Sequence, residues 1–137
     1  MKELALRGRA FPSDLNPAGT VFGGWIMAKM DKAASIAVED IVKSVAVTVS
    51  VTDLHFVKPI RNGDIVSIYT QIIAIGRTSI KIEVDVQVKC KETRQEYQVT
   101  NAIFTFVTIG DDKNSINVRE VLREDVDESI NKLLDKE

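Results

Sequence analysis

Residues 22–42 read FGGWIMAKMDKAASIAVEDIV, and this segment decides how the rest of the chain can fold. It is rich in alanine and methionine and contains no proline, which favours helix over its whole length. At roughly 100° per residue, apolar side chains cover most of the helix surface and the charged ones fall on one narrow arc. The members of that arc are Lys29, Lys32, Glu39 and Asp40. The segment therefore predicts one helix that is buried on most sides.

The residues around this helix are predicted to form an antiparallel sheet. Over residues 80–88, apolar β-branched side chains alternate with polar ones, which is typical of a strand with one buried and one solvated face. Similar runs at residues 46–57, 65–75 and 97–109 are separated by proline and glycine turn signals, and residues 4–11 add an edge strand. We expect an α+β fold in which a long antiparallel sheet wraps around one central buried helix.

The charged end of the chain predicts a second helix, on the surface. Asn117 with Glu120 three residues later resembles a capping box, the side-chain pattern that starts many helices. One apolar stripe follows, and it consists of Leu122, Val126, Ile130 and Leu133. We expect residues 1–137 to be a single domain in which residues 110–137 form a charged helical tail.

Length, charge and composition limit the classes of function. The 137 residues suit one domain, and 18 basic against 20 acidic side chains argue against a dedicated nucleic-acid-binding protein. One cysteine and one histidine, Cys90 and His55, cannot make an internal disulfide or a Cys/His zinc site within one chain. The first residues lack a signal-peptide core, and no apolar run approaches the roughly 20 residues of a membrane span. We expect a cytoplasmic protein without membrane or nucleic-acid partners.

Common catalytic motifs are missing from the sequence. It has no GxGxxG, GxxxxGK[ST], GxSxG, HExxH or CxxC pattern, which excludes most cofactor-binding and nucleophile motifs. His55 lies in a predicted strand, away from any serine elbow, so a structural role is favoured over a catalytic one. Cys90 ends a predicted strand without a neighbour that marks it as activated, so we expect an inert thiol.

Asp31 breaks the pattern of the predicted helix. On the helical wheel it lies roughly 130° from the centre of the charged arc, among apolar side chains, where an unpaired carboxylate is costly. The carboxylate could be a satisfied polar group bonded to a backbone N–H or a neighbouring hydroxyl, or it could face a subunit contact. We favour a third explanation, a carboxylate placed in a cleft as base or nucleophile, because of the segment that precedes it.

That segment enters the helix through two glycines, Gly23 and Gly24. Glycines at a helix start expose free N–H groups, which can polarise a carbonyl group. Gly24 and Asp31 are two turns apart on one face, so Asp31 could direct a water molecule at a carbonyl held by the Gly24 N–H. Simpler explanations stay open: the glycines could allow close packing against the sheet, and Asn16 could be only a turn residue before Pro17.

Residues 12–31, PSDLNPAGTVFGGWIMAKMD, closely resemble the active-site segment of hotdog-fold acyl-CoA thioesterases of the YciA type. The motifs FVKPI at residues 56–60, GD at residues 63–64 and GRTS at residues 76–79 support the resemblance, which spans about residues 4 to 109. It implies a hotdog fold and an enzyme that hydrolyses acyl-CoA to a carboxylic acid and coenzyme A. Such an enzyme needs no metal or cofactor, because a thioester has a good thiolate leaving group.

The resemblance implies three catalytic positions. Asp31 would be the catalytic carboxylate, as general base or nucleophile, and Asn16 would position water or substrate. The Gly24 N–H would polarise the thioester carbonyl. Two rival functions fit less well: a hotdog hydratase or dehydratase would pair a histidine with a carboxylate, and residues 16–31 contain no histidine. A non-catalytic acyl-CoA sensor would lose the carboxylate that Asp31 retains.

The substrate needs further contacts. Coenzyme A phosphates attract cationic and hydroxyl or N–H donors, and the candidates are Arg77, Thr78, Ser79, Lys58 and Arg61. Taken alone, Arg61 is better explained as a solvated surface charge. An adaptable apolar acyl pocket is predicted from Trp25, Met27 and Met30.

The sequence also predicts that the protein is an oligomer. A long sheet around a single helix leaves edges and apolar surface uncovered, which predicts at least a dimer. The resemblance implies a hexamer built as a trimer of dimers. It also suggests that each site is shared between Asn16 of one protomer and Asp31 of the other.

Overall fold

A computed structural model describes residues 2–134 of the chain. Its strands are Glu3–Arg9 (β1), Val45–Thr52 (β2), Ile65–Ile75 (β3), Ser79–Lys89 (β4) and Glu96–Ile109 (β5). They form one antiparallel sheet in the spatial order β1-β3-β4-β5-β2. Hence β1 is an edge strand as predicted, and β2 forms the opposite edge.

One long helix, α1 at Gly23–Glu39, lies on the inner face of the sheet and contacts all five strands. Its buried side chains are Ile26, Met30, Ala33, Ala34 and Val38. They share one core with the inward-facing residues of β4, which are Ile80, Ile82, Val84, Val86 and Val88. Alternation with period two places these five side chains on one face of the strand. The predicted sheet around one buried helix is confirmed.

Both α1 and β2 end earlier than predicted. The helix ends at Glu39, because Val42 leaves the helical path and pairs with Leu122 in an isolated β-bridge. Strand β2 ends at Thr52, because Asp53 has φ +59°, a left-handed conformation that a strand does not accommodate. After Asp53 the chain leaves the strand ladder but stays beside β5, where the Val57 N–H donates to the carbonyl of Val99 at 2.9 Å, and Ile60 then reaches the start of α1.

The tail forms two short helices, α2 at Val118–Val121 and α3 at Glu128–Leu134, so the prediction of one helix from Asn117 is wrong. Asn117 does cap α2, since its Oδ1 accepts a hydrogen bond from the Arg119 N–H at 3.0 Å. The helix stops after one turn because Leu122 is extended where it bridges to the body of the protein. The last three residues of the predicted tail, 135–137, lie outside the described residues. Between residues 2 and 134, no helix is long and apolar enough to cross a membrane.

Candidate active site

The loop that leads into α1 is held by the side chain of Asn16. Its Oδ1 accepts hydrogen bonds from the N–H groups of Ala18 at 2.9 Å and Thr20 at 3.2 Å, and its Nδ2 donates to Thr20 Oγ1 at 3.1 Å. Gly19 has φ +85°, which suits glycine and closes the turn. Within one chain Asn16 thus acts as a turn residue, and it fixes the path by which the backbone reaches the helix.

The start of α1 presents unpaired N–H groups to solvent. Phe22 is the N-cap and makes no side-chain capping bond, so the first N–H groups of the helix have no acceptor within it. A Cβ on Gly23 would lie 3.1 Å from the ring of Phe56, whereas one on Gly24 would meet nothing within 4 Å. The close-packing explanation therefore applies to Gly23, although against Phe56 and not the sheet. Gly24 is exposed and open to a ligand.

Asp31 is half-buried and bonded to a residue that sequence reasoning missed. The Oγ1 of Thr48, on edge strand β2, donates a hydrogen bond to Asp31 Oδ1 at 2.5 Å. Among the residues described, Thr48 is the only hydrogen-bond donor to this carboxylate. A neighbouring hydroxyl is one of the partners that the sequence predicts for Asp31. The threonines and the serine of the valine-rich segment VAVTVSVT are candidates for it, but the sequence does not show which strand lies beside the helix.

This arrangement leaves the carboxylate chemically competent. A hydroxyl that donates to Oδ1 orients the group and leaves Oδ2 able to accept a proton from water. Gly24 and Asp31, however, are seven residues apart, and at about 1.5 Å per residue this is about 10 Å along the helix. A thioester carbonyl and its attacking water are much closer than that. One chain therefore carries both predicted catalytic groups but does not bring them together.

The five residues predicted to bind coenzyme A lie in two groups at opposite ends of the sheet. Lys58 Nζ lies 5.5 Å above the ring of Tyr97, near the start of β5. The N–H of Val21, just before α1, donates to the carbonyl of Ile60 at 2.9 Å, so this loop adjoins the helix start. Exposed Arg61 belongs to the same loop.

The second group is the turn of residues 76–79 between β3 and β4. Ser79 pairs with Val107, near the end of β5. At roughly 3.3 Å per residue, Tyr97 and Val107 are about 30 Å apart along the strand. One chain therefore does not unite the two groups around one ligand, and their assignment to coenzyme A stays a prediction.

The three predicted acyl-pocket residues also lie apart. Met30 is completely buried in the core, and Met27 is 38% exposed on the outer side of α1. Trp25, with Lys29 Nζ 5.4 Å from its ring, lines a groove of about 350 Å³ between β1 and the first half of α1. The groove also contains Arg7 and Arg9, so its rim is cationic. Met30 is therefore a core residue, whereas Trp25 and Met27 are accessible.

His55 and Cys90 are not favoured as catalytic residues by the sequence, and of the two only Cys90 has a feature that the sequence did not predict. The backbone carbonyl of His55 accepts a hydrogen bond from Thr100 Oγ1 at 2.6 Å, and within residues 2–134 its exposed imidazole has no serine partner. Hydrogen bonds from the Thr93 side chain and from nearby backbone lower the pKa of the Cys90 thiol, so an activating neighbour does exist. Among the described residues, no cluster of three or more His, Cys, Asp or Glu could hold a metal ion.

Comparison with known proteins identifies the family. Residues 18–94 match the family described as the thioesterase superfamily. An uncharacterized acyl-CoA thioester hydrolase of Haemophilus influenzae is 44% identical over 115 residues, covering 82% of this chain and 75% of that protein. The acyl-CoA thioester hydrolase YciA of Salmonella typhimurium is 38% identical over 113 residues, covering 80% and 85%. The chain belongs to the thioesterase superfamily.

Solved structures of thioesterases agree with this assignment. HI0827, a hexameric broad specificity acyl-coenzyme A thioesterase, is 38% identical with a TM-score of 0.84, over 98% of this chain and 96% of that one. Cj0915, a hexameric hotdog fold thioesterase of Campylobacter jejuni, is 36% identical with a TM-score of 0.77, over 86% and 94%. The predicted hotdog fold, the resemblance to the YciA type and the class of thioester hydrolase are confirmed.

Thr48 is expected to support turnover by this thioesterase. Thr48→Val removes the hydroxyl that orients Asp31 while keeping a similar volume, and should lower kcat by about tenfold to hundredfold, because small misplacements of a reacting group are costly. Thr48→Ser keeps the hydroxyl and should retain most of the activity. Thiol release from a thioester substrate measures both. Equal kcat for Thr48→Val and the parent would contradict the orienting role.

Met27 and Met30 are expected to differ in what they support. Met30→Ala leaves a cavity in the core and should lower the free energy of unfolding by about 2–5 kcal/mol, whereas Met27→Ala should cost below about 1 kcal/mol. Denaturant unfolding of each variant measures this. If the two variants lose the same stability, the placement of Met30 in the core is wrong.

Proposed function

We propose that this thioesterase hydrolyses acyl-CoA to a free carboxylic acid and coenzyme A, with Asp31 as the catalytic carboxylate. The observation that carries the proposal is the hydrogen bond from Thr48 to Asp31 on the same helix whose open start exposes the Gly24 N–H. The relatives named for acyl-CoA hydrolysis support this substrate. Asp31 as the base and Gly24 as the electrophilic group account for both steps that a thioester requires.

The reaction divides between the two groups as follows. Asp31 takes a proton from water while the water oxygen attacks the thioester carbon, and the Gly24 N–H stabilises the negative charge that forms on the carbonyl oxygen. The carbon–sulfur bond then breaks, and coenzyme A leaves as a thiolate that takes up a proton. Direct attack by Asp31 through a mixed anhydride is the alternative. Thr48 occupies Oδ1 and leaves Oδ2 available for either role, and of the two we favour the water route.

The site is completed by a second copy of the chain. Because Gly24 and Asp31 are about 10 Å apart along α1, each needs its counterpart from elsewhere. Edge strand β2 carries Thr48 and also exposes Val45, Val47 and Val49, which are 65%, 42% and 56% accessible. An exposed apolar edge strand favours pairing with its symmetry mate. A dimer across β2 would place Thr48 and Asp31 of each protomer at the interface, near the other protomer.

Assembly beyond the dimer follows from the relatives. HI0827 and Cj0915 are both described as hexameric, and we extend this to the present protein as a trimer of dimers. Such an assembly also offers a way to unite the separated cations. Lys58 and Arg61 of one protomer and the Arg77 turn of another would contact one coenzyme A molecule.

Activity provides the primary test. Purified protein should release free thiol from a panel of acyl-CoA substrates of varied chain length, and Asp31→Asn should lower kcat by on the order of 10²-fold or more. Circular dichroism and the oligomeric state serve as controls that the variant is folded. If the folded Asp31→Asn variant turns over at the parent rate, Asp31 is not catalytic. If the parent releases no thiol from any acyl-CoA but binds it, the protein is a sensor.

Subunit mixing tests whether sites are shared. Co-expression of Asn16→Ala and Asp31→Ala chains in equal amounts should restore about a quarter of the parent activity, because one site in four then draws both intact residues from different chains. Asn16 is the appropriate partner because its side chain fixes the loop that delivers Gly24. Co-expression of two Asp31 variants is the control and should restore nothing. Complete inactivity of the first mixture, with mixed oligomers verified by two tags, would refute sharing.

A further inference from the structure

The turn of residues 76–79 is fixed by backbone contacts, while its cationic side chain is unrestrained. Within the turn, the Gly76 N–H donates to the carbonyl of Ser79 at 2.8 Å. Arg77 is exposed, and within residues 2–134 its guanidinium has no hydrogen-bonding or charged partner. The place at which Arg77 can meet a ligand is therefore determined by its backbone.

That backbone is tied to the tail. The N–H of Val118, the first residue of α2, donates to the carbonyl of Arg77 at 2.8 Å. The N–H of Thr108 donates to the carbonyl of Thr78 at 3.0 Å. Thr108 and Val118 are both 0% exposed, so water does not replace these bonds.

Thr108 also connects the tail to the sheet. Its Oγ1 donates to the carbonyl of Ile116 at 2.7 Å, and the N–H of Ile116 donates back to the carbonyl of Thr108 at 2.9 Å. Ile116 is two residues before Val118. The position of the Val118 N–H is therefore set by Thr108, at the end of β5.

On its far side the tail joins the connection between α1 and β2. The N–H of Lys43 donates to the carbonyl of Val121, and the N–H of Arg123 donates to the carbonyl of Ile41, both at 2.8 Å. Val42 and Leu122 form a β-bridge between them. Residues 116–123 thus link the Arg77 turn to the segment that begins β2, the strand of Thr48.

We propose that Val118 and Thr108 are positioning residues that act through Arg77. Thr108 and residues 116–123 hold Arg77 where it contacts the phosphates of coenzyme A. This inference rests on the proposed acyl-CoA hydrolysis. The Val118 N–H fixes the Arg77 carbonyl, and the Thr108 hydroxyl fixes the segment that carries Val118. Neither residue contacts the substrate.

Proline at position 118 isolates the first of these bonds. Position 118 is the first residue of α2, where proline is well tolerated, and Asn117 has ψ 128°, a conformation that suits the residue before proline. Val118→Pro therefore removes the N–H that bonds to Arg77 with little strain in the helix. Val118→Ala is the matched control, because it loses the buried side chain but keeps the N–H.

The expected result is a selective loss of affinity for the nucleotide part of the substrate. Val118→Pro should have a KM for acyl-CoA about fivefold to tenfold higher than that of Val118→Ala, because the charge-assisted hydrogen bond from Arg77 to phosphate is weakened. The kcat values of the two variants should differ by less than about twofold. KM for the matching S-acyl-pantetheine, which lacks the nucleotide, should be equal in the two variants. Equal KM values for acyl-CoA, or equal losses on both substrates, would overturn the proposal.

Arg77→Ala separates failure of this inference from failure of the proposed function. Arg77→Ala could raise KM for acyl-CoA and not for S-acyl-pantetheine while Val118→Pro behaves like Val118→Ala. In that case Arg77 does contact the phosphates, and the positioning role of Val118 is wrong. If Arg77→Ala has no such selective effect, the phosphate contact itself is wrong, and the positioning role falls with it.

Thr108 gives a second test that does not depend on proline. Thr108→Val should raise KM for acyl-CoA selectively, and Thr108→Ser, which restores the hydroxyl, should recover it. Thr70→Val is the control for stability, since Thr70 is a buried threonine in the middle of β3 that pairs with Glu3 and Val84, apart from the Lys58 loop and from the Arg77 turn. If Thr108→Ser fails to recover KM, or Thr70→Val raises it equally, Thr108 has only a structural role.

Discussion

The burial of a single helix by a single sheet is the constraint on which this structure depends. The 17 residues of α1 supply the only long helix in the described chain, and all five strands contact it. Alanines at 33 and 34 have no exposed surface, which lets the helix approach the strands closely. What stays uncovered is the side of the helix turned away from the sheet, where Asp31 is half-buried and the exposed residues are Gly24, Met27, Ala28, Lys32, Ser35, Ile36 and Glu39. The proposed catalytic groups lie on this side because the opposite side is packed against the strands.

The same constraint explains why most of the fold could be predicted from the sequence. Strand β3 has the predicted bounds, Ile65–Ile75, and the alternation of β4 gives both its position and its inward face. Helix α1 was recognised from its composition and periodicity. These signals are local, since period and turn residues depend on neighbours in the chain. They fail where a distant contact decides the structure, as at Val42 and in the divided tail, both of which follow from the bridge to Leu122.

The site was predicted less completely, for a physical reason. Asp31 was singled out because a carboxylate among apolar side chains is costly, and that argument needs no tertiary information. Its partner Thr48 depends on which strand forms the edge beside the helix. The candidate cations were identified as residue types suited to phosphate, but their separation depends on the length of β5, which places Lys58 and Arg77 at opposite ends of the sheet. Sequence resemblance gives the positions of residues along the chain and not the distances between them.

The groove beside β1 has a practical consequence, because Trp25 is the only tryptophan of the chain. All indole fluorescence therefore originates next to Gly24, at the start of α1. The ammonium of Lys29 lies 5.4 Å from the ring, and any molecule that displaces it or enters the groove alters the electric field and the solvation of the indole. The intensity and wavelength of this emission thus report on one defined place. The unmodified protein carries its own optical probe of the helix start, available to equilibrium and stopped-flow spectroscopy alike.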